Sequence, residues 1–182
     1  MKKKILLGIV IILVVWALCM GLFLLLVNMS KESHEEVLKR KEKSLGKALI
    51  VYQPSVSDAS SRIAHQIAKG LNESGYEVTL NHPGKYLPFD LSDYKLVVFG
   101  SPTYCSITTK ALVDYMSSIK DNTLGKVVLY STGTVPNNLK EFDAMEKQLN
   151  DVKPYKKVKF NTHKMEENYK SAYELGKELA VD

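Results

Sequence analysis

The sequence predicts a single α/β domain with a five-stranded parallel sheet between two layers of helices, preceded by one transmembrane helix. Residues 5–27 form an uninterrupted apolar run, residues 28–45 are rich in charge, and from residue 46 short apolar runs alternate with amphipathic helical patterns. Such alternation is typical of parallel sheets, in which each crossover helix covers one face of the sheet. The 182 residues suffice for one such domain and an appendage.

The segment 5–27 has the length and composition of a membrane span. Its 23 residues include no charged residue and no Asn, Gln, Ser, Thr or Pro, and a span needs roughly 20 residues. A cleaved signal peptide is the alternative, but its apolar core usually runs about 7–15 residues and ends at a small-x-small site. No such site follows Val27, and Leu18 before Cys19 argues against lipoprotein processing. We therefore expect an uncleaved anchor in the lipid bilayer of the cell membrane.

The flanking charges leave open on which side of the membrane the domain lies. Three lysines at positions 2–4 favour a cytoplasmic N-terminus. Basic residues that favour the opposite orientation follow the span, namely Lys31, Lys39, Arg40, Lys41 and Lys43. We expect residues 28–45 to be a polar stalk, in which Glu35 and Lys39 are spaced to support a helix. Binding of anionic lipid by the stalk is an alternative to simple solvation.

The composition argues against several classes of function. Without the lysines at positions 2–4, the 22 remaining basic residues nearly balance the 20 acidic ones. The basic pI therefore does not indicate nucleic-acid binding, and we expect no nucleic-acid partner. Cys19 and Cys105 form no C-x-x-C motif and lie in different parts of the chain, and the four histidines are scattered. We expect neither a disulfide nor a metal site.

Five strands and four helices are predicted for the domain, residues 46–182. The strands are short runs rich in β-branched and aromatic residues, at 47–52, 76–80, 94–100, 126–130 and 156–160. The helices repeat apolar residues with a helical period, at 60–74, 108–119, 139–151 and 165–180. Three strands are apolar through most of their length, which predicts burial on both faces. The last strand carries three lysines, which suit an exposed sheet edge.

Ligands of open parallel sheets bind at the carboxyl ends of the strands, and three loops leave these ends. In the first, at 53–60, several serines precede a helix, and donors in that position suit a phosphate monoester. The other interpretation of this loop is that Ser57 or Asp58 simply caps the helix. In the second, Tyr104 follows a Ser-Pro turn, where its ring could form a wall for a planar ligand. The third, at 131–134, has small residues that allow close approach to the backbone.

From about residue 47 to residue 180 the chain resembles the flavodoxin-like FMN-binding proteins in three segments. The stretch KALIVYQPSVSDASSRIAHQIAKGL is similar to the family's first strand, phosphate loop and first helix. The stretch YKLVVFGSPTYCSITTKALVDYM is similar to its second segment, with the Gly-Ser-Pro-x-Tyr turn that frames the isoalloxazine, and GKVVLYSTGT to its third. The resemblance implies a flavodoxin-like three-layer sandwich with strand order 2-1-3-4-5, and FMN as the cofactor.

The resemblance also implies which residues hold FMN. The family's Ser-x-Thr-Gly-Asn-Thr loop falls on residues 55–60, so that Asp58 stands at the glycine and Ala59 at the asparagine. The implied phosphate-binding residues are Ser55, Val56, Ser57, Asp58, Ala59 and Ser60. Those implied for the rest of the cofactor are Ser101, Pro102, Thr103, Tyr104, Cys105, Ser131, Thr132 and Gly133. Tyr86 is a weaker candidate for a second aromatic wall, and Cys105 is either a redox-active or a packed thiol.

The function that the resemblance implies is redox chemistry beside a membrane. Such a protein carries electrons to a redox partner protein, or reduces a membrane-associated acceptor such as a quinone, and tethering raises its concentration near the bilayer. Two departures favour an alternative, because Asp58 places a carboxylate beside a phosphate dianion and Ala59 removes a side-chain donor. The alternative is a flavin-free, membrane-tethered binding module that kept the fold.

Overall fold

The computed structural model describes residues 2–29, 31–39, 44–104, 107–135 and 139–181. The helices are α1 (Lys2–Asn28), α2 (Ala59–Glu73), α3 (Lys110–Met116), α4 (Glu141–Glu146) and α5 (Met165–Val181). The strands are β1 (Glu36–Leu38), β2 (Gly46–Tyr52), β3 (Tyr76–Asn81), β4 (Tyr94–Tyr104), β5 (Ile107–Thr108), β6 (Lys126–Gly133) and β7 (Lys156–Asn161).

The central sheet has the order β1-β3-β2-β4-β6-β7. Its five parallel strands, β3, β2, β4, β6 and β7, confirm the predicted order 2-1-3-4-5. Two additional short strands are antiparallel, since β1 pairs with β3 and β5 pairs with the end of β4. The sheet is therefore mostly parallel.

Alternation of side chains along the strands builds two cores, one on each face of the sheet. In β2, Ile50 and Tyr52 pack with α2 and α5, whereas Leu49 and Val51 pack with α3, α4 and the connection that follows β3. Each of these four side chains is at most 2% exposed. The helices α2 and α5 approach closely, because a Cβ atom at Gly70 would lie 2.2 Å from the carbonyl oxygen of Tyr173. Together α2 and α5 cover one face of the sheet, and α2 begins at the candidate site.

The segment 31–38, which we call the strap, lies along the edge of the sheet at β3. The sequence favoured a helical stalk here, and that expectation is wrong for residues 36–38, which form β1. Asn81 Oδ1 accepts a hydrogen bond from the His34 amide (2.8 Å), and Asn72 donates to the Leu38 carbonyl (2.9 Å). The His65 ring lies 2.9 Å from the Glu36 carboxylate. These side-chain hydrogen bonds and the pairing of β1 with β3 together hold the strap against the domain.

His82 should make the stability of the fold depend on pH. Burial lowers the pKa of His82; neighbouring His34, Lys31 and His65 act in the same direction, whereas its hydrogen bond to the Glu32 carbonyl opposes them. The unfolded chain therefore takes up this proton at higher pH than the folded chain. The contribution of His82 to stability should be constant above the unfolded pKa of about 6.5 and fall as the pH drops below it. Urea titrations of the full chain in micelles between about pH 7.5 and pH 5.5 measure this.

The variant His82→Gln should make that pH dependence shallower, even if it lowers stability at every pH by removing the ring contact with Tyr52 (5.1 Å between centroids). His163→Gln is the matched control, because His163 is exposed on the turn after β7. An unchanged slope in His82→Gln would contradict the assignment.

Candidate functional site

The predicted site residues meet at the carboxyl edge of β2, β4 and β6. In the sheet register Tyr52 lies opposite Gly100, and Gly100 lies opposite Tyr130, so these strands end side by side. Gly100 permits this packing, since a Cβ atom there would lie 1.9 Å from the Tyr130 ring. The loops that follow β2, β4 and β6 therefore leave the sheet at one edge.

The first loop folds back on itself just before α2. The Ser60 amide donates to Ser55 Oγ (3.2 Å), and the Asp58 amide donates to the Ser55 carbonyl (3.1 Å). The residue at the N-cap is Asp58, but its side chain makes no capping hydrogen bond. The expectation that Ser57 or Asp58 supplies the cap is therefore wrong, because Ser55 does so. Among the described residues the Ser57 and Ala59 amides have no hydrogen-bond partner, as is usual at a helix start.

Asp58 has the backbone conformation that a glycine adopts in such a loop. Its φ is 59°, in the left-handed region where Asp is tolerated better than most residues. Its carboxylate lies 3.7 Å from Arg62 Nε, and both side chains are more than 60% exposed. The negative charge thus lies at the surface beside a cation. The repulsion that the sequence suggested is reduced by this geometry.

Tyr104 lies directly against the first loop. The Val56 amide donates to its hydroxyl (3.2 Å). On the other side, its ring meets the ring of Phe23 edge-on, with 5.5 Å between centroids. The predicted turn at 101–104 is wrong, because these residues continue β4 and pair with β5 and β6. Tyr104 therefore lies between the serine-rich loop and Phe23, near the end of α1.

The other predicted residues on β4 have mainly structural contacts. Ser101 is buried; its Oγ donates to the Pro102 carbonyl (2.8 Å) and accepts from the Thr109 amide (3.1 Å), which ties β4 to the start of α3. Pro102 is buried opposite Thr132, and Thr103 is partly exposed. Cys105 lies outside the described residues, so its role stays a prediction.

The third segment, 131–133, is the end of β6 rather than a loop. Gly133 is buried there, and its backbone adjoins Thr103. Thr132 Oγ1 is buried and has no hydrogen-bond partner among the described residues. Thr132 lies on the same face as Tyr130, one pleat nearer the carboxyl edge. Thr132 is therefore closer to the carboxyl edge than Tyr130, whose hydroxyl reaches the first turn of α2.

Tyr130 links strand β6 to the end of the first loop. Its hydroxyl donates to the Ser60 carbonyl (2.9 Å) and lies 3.3 Å from Ser60 Oγ. Burial raises the pKa of Tyr130 above its ordinary value, so the phenol remains a donor at neutral pH. Sequence reasoning missed this residue, because a tyrosine in an apolar strand has the pattern of ordinary core.

A buried ion pair under the third segment was also missed. Lys159 Nζ lies 2.5 Å from Glu141 Oε1, and the two side chains are 5% and 0% exposed. Ser131 Oγ donates to the same carboxylate (2.9 Å). The predicted position of the lysine-rich strand at a sheet edge is confirmed, since β7 is the last strand of the sheet. The expected exposure is wrong for Lys159, whose side chain is buried on the strand position opposite Ser131. No local signal separates Glu141 from the surface residues of a short helix.

Three of the four histidines, which appeared scattered in the sequence, line one cleft beside the first loop. The cleft measures about 520 Å³ and is lined by His34, His65, His82, Tyr52 and Arg62 among others. The described residues contain no group of three or more side chains placed to hold a metal ion. Tyr86 is at this side too, where its hydroxyl donates to the Lys31 and His82 carbonyls (both 3.1 Å), away from Tyr104.

Comparison with solved structures identifies the fold. A flavodoxin from Streptococcus pneumoniae TIGR4 matches with a TM-score of 0.63 at 19% identity, over 75% of this chain and 99% of the other. Flavodoxin 2 from Bacillus cereus matches at 0.58 and 20% identity (74% and 97%). An oxidoreductase from Corynebacterium diphtheriae matches at 0.58 and 15% identity (76% and 97%). No family model and no curated protein matches the sequence. The chain has the flavodoxin-like fold.

Proposed function

We propose that this chain binds FMN at the carboxyl edge of its sheet and exchanges electrons with a membrane-associated acceptor. The observation that carries the proposal is the contact between Tyr104 and the Val56 amide, which joins an aromatic wall to a serine-rich loop at a helix start. In a fold of this kind, that edge of the sheet is where ligands bind. The structural similarity to flavodoxins supports the choice of cofactor.

The residues of the first loop fit a phosphate group. The amides of Ser57 and Ala59 and the hydroxyl of Ser57 are at the start of α2, where donors and the helix dipole favour an anion. The Val56 amide joins this set only if the Tyr104 hydroxyl gives it up. The orphaned Thr132 hydroxyl is a further polar group toward the carboxyl edge, and it lacks a partner among the described residues. Three donors, the Ser57 and Ala59 amides and the Ser57 hydroxyl, are therefore available to a phosphate, and the Val56 amide would be a fourth.

Bound FMN would supply the redox chemistry. The chain's own residues bind and orient it. Tyr104 would cover one face of the ring, and the first loop would fix the phosphate end. Tyr130 keeps that loop in place through the Ser60 carbonyl. Thr103 and Gly133, whose strands end together, would border the ring.

The same proposal assigns α1 to the membrane, as an uncleaved anchor, with 28–45 as its connection to the domain. By length and composition the helix Lys3–Asn28 could cross a bilayer. Its end contacts the candidate site, because the Lys110 amide donates to Asn28 Oδ1 (2.7 Å) and Gln53 Nε2 donates to the Met29 carbonyl (3.3 Å). An acceptor dissolved in the bilayer, such as a quinone, therefore suits this site.

Titration of the full chain in detergent micelles with FMN tests the proposal. We expect a yellow complex with one FMN per chain, whose visible absorbance is lost on reduction and returns with a lipid quinone in nanodiscs. Riboflavin is the matched control ligand, because it lacks the phosphate and should bind much more weakly. A chain that is colourless once free FMN has been removed from a saturated sample would overturn the proposal.

One observation favours a second candidate, the flavin-free tethered binding module. Two amides of the first loop are already satisfied within the chain, at Val56 by Tyr104 and at Ser60 by Ser55. A loop whose amides have hydrogen-bond partners within the chain does not need a phosphate to satisfy them. Failure to bind FMN, together with an intact fold by circular dichroism, would favour this candidate.

A further inference from the structure

The carboxyl edge of the sheet exposes four aliphatic side chains around the candidate site. They are Val56 (78% exposed), Ile107 (65%), Val135 (55%) and Leu139 (49%). Among the described residues from 44 to 181, the other exposed valines, leucines and isoleucines are Leu45 and Val181. Single exposed apolar residues are ordinary, but a set confined to one edge indicates an interaction surface. We call these four residues the apolar rim.

The rim residues come from loops that leave three neighbouring strands. Val56 follows β2, Ile107 lies in β5 against the end of β4, and Val135 and Leu139 follow β6. Because β2, β4 and β6 are adjacent in the sheet, these loops are adjacent in space. The opposite, amino edge carries Leu45, Tyr155 and Val181 as exposed large apolar residues within the described chain, since the end of α5 lies beside the start of β7.

The end of α1 reaches the same edge. Phe23 contacts Tyr104, which is three residues before β5. The Lys110 amide donates to Asn28, and the Gln53 side chain donates to the Met29 carbonyl. At 1.5 Å per residue, Phe23 lies roughly 6 Å below the predicted end of the span at Val27. That depth is within the boundary between headgroups and acyl chains, into which amphipathic surfaces sink by about 5–10 Å.

We propose that the apolar rim docks into the lipid surface, so that the candidate site faces the bilayer rather than water. The occupant is lipid because the rim is continuous with the span that enters the membrane beside it. Tyr104 suits this position, since tyrosine is favoured at the membrane interface. The inference rests on the proposed anchor but not on bound FMN. Together with the proposed FMN site, it implies that electron acceptors reach the flavin through the bilayer.

Fluorescence quenching by brominated lipids tests the docking in the full chain. Trp16 is the one tryptophan of the sequence and lies at the middle of the span. In the unaltered chain, in phosphatidylcholine vesicles, its quenching by bromine deep in the acyl chains reports whether the anchor is inserted. A second tryptophan is then introduced as Ile107→Trp in a Trp16→Phe background. We expect strong quenching of that variant by bromine near the headgroups.

Tyr155→Trp in the same background is the control, because Tyr155 is 47% exposed at the opposite edge. It should be quenched at least several-fold less than the variant at position 107. Val135→Trp is the second rim variant in case the first fails to fold. If quenching is equally weak at the rim and at position 155 while Trp16 of the unaltered chain is quenched, the docking is overturned. The carboxyl edge would then be free to bind a soluble partner. Loss of Trp16 quenching would overturn the anchor on which the docking rests, whatever the result of FMN titration.

Discussion

Replacing Lys159 by methionine is expected to lower the free energy of unfolding by about 3–5 kcal/mol, because it leaves the Glu141 carboxylate buried without its cation. The Glu141 side chain is 0% exposed, and its Oε2 atom already lacks a hydrogen-bond partner among the described residues. The Ser131 hydroxyl would then be the principal remaining donor to this carboxylate. Urea denaturation of the full chain in micelles, followed by far-ultraviolet circular dichroism, measures the change.

Lys157→Met is the matched control on the same strand. Lys157 pairs with Glu146, and these side chains are 39% and 34% exposed. Pairs with this exposure contribute little, so the control should change stability by less than about 1 kcal/mol. Adding Glu141→Gln to Lys159→Met should recover a large part of the loss, since it removes the uncompensated charge. Equal effects of the two lysine variants would contradict the buried pair.

The predicted fold was confirmed because its strands and helices have strong periodic signals. The runs in β2, β4 and β6 are apolar over both faces, and such runs are interpretable without knowledge of their neighbours. Lys159 shows the limit of this reasoning. Its position in an alternating, lysine-rich strand is that of an exposed residue, and only the packing of α4 against β7 gives it a buried partner. Tertiary contacts of this kind leave no local pattern.

Pro102 explains why the end of β4 was missed. A Ser-Pro pair after an apolar run is typical of a turn, because proline lacks the amide that a strand interior needs. In the structure β2 ends at Tyr52, opposite Gly100, so Pro102 has a parallel neighbour, β6, on one side only. Proline is tolerated there, and the strand continues to Tyr104. Strand ends depend on where the neighbours end, which the sequence does not show.

The candidate site was predicted in its parts but not in its contacts. The resemblance placed a phosphate loop at 55–60, and the structure brings this loop against Tyr104. It did not reveal that Ser55, rather than Ser57 or Asp58, caps α2, since any of these residue types can fill that role. It also gave no indication of the contact between Phe23 and Tyr104, because the two residues are far apart in sequence.

The variant Ser57→Glu is expected to weaken FMN binding by about 2 kcal/mol, roughly 30-fold, if the phosphate lies in the first loop as proposed. Ser57 is exposed beside the start of α2, so the substitution should not disturb the core. A carboxylate there would stand within a few ångströms of a phosphate dianion, whereas the Asp58 carboxylate is accompanied by Arg62. Fluorescence titration of the full chain with FMN measures the change.

Ser57→Gln separates charge from size, because glutamine has nearly the shape of glutamate without its charge. It should retain most of the affinity, and the gap between the two variants should shrink as salt is added, since exposed charges are screened. Riboflavin binding should be the same for both variants, because it has no phosphate to repel. Equal FMN affinity in the glutamate and glutamine variants would place the phosphate elsewhere, even if the chain binds flavin. In that case the hydrogen bond between the Val56 amide and the Tyr104 hydroxyl would only stabilise the loop and would not be part of a cofactor site.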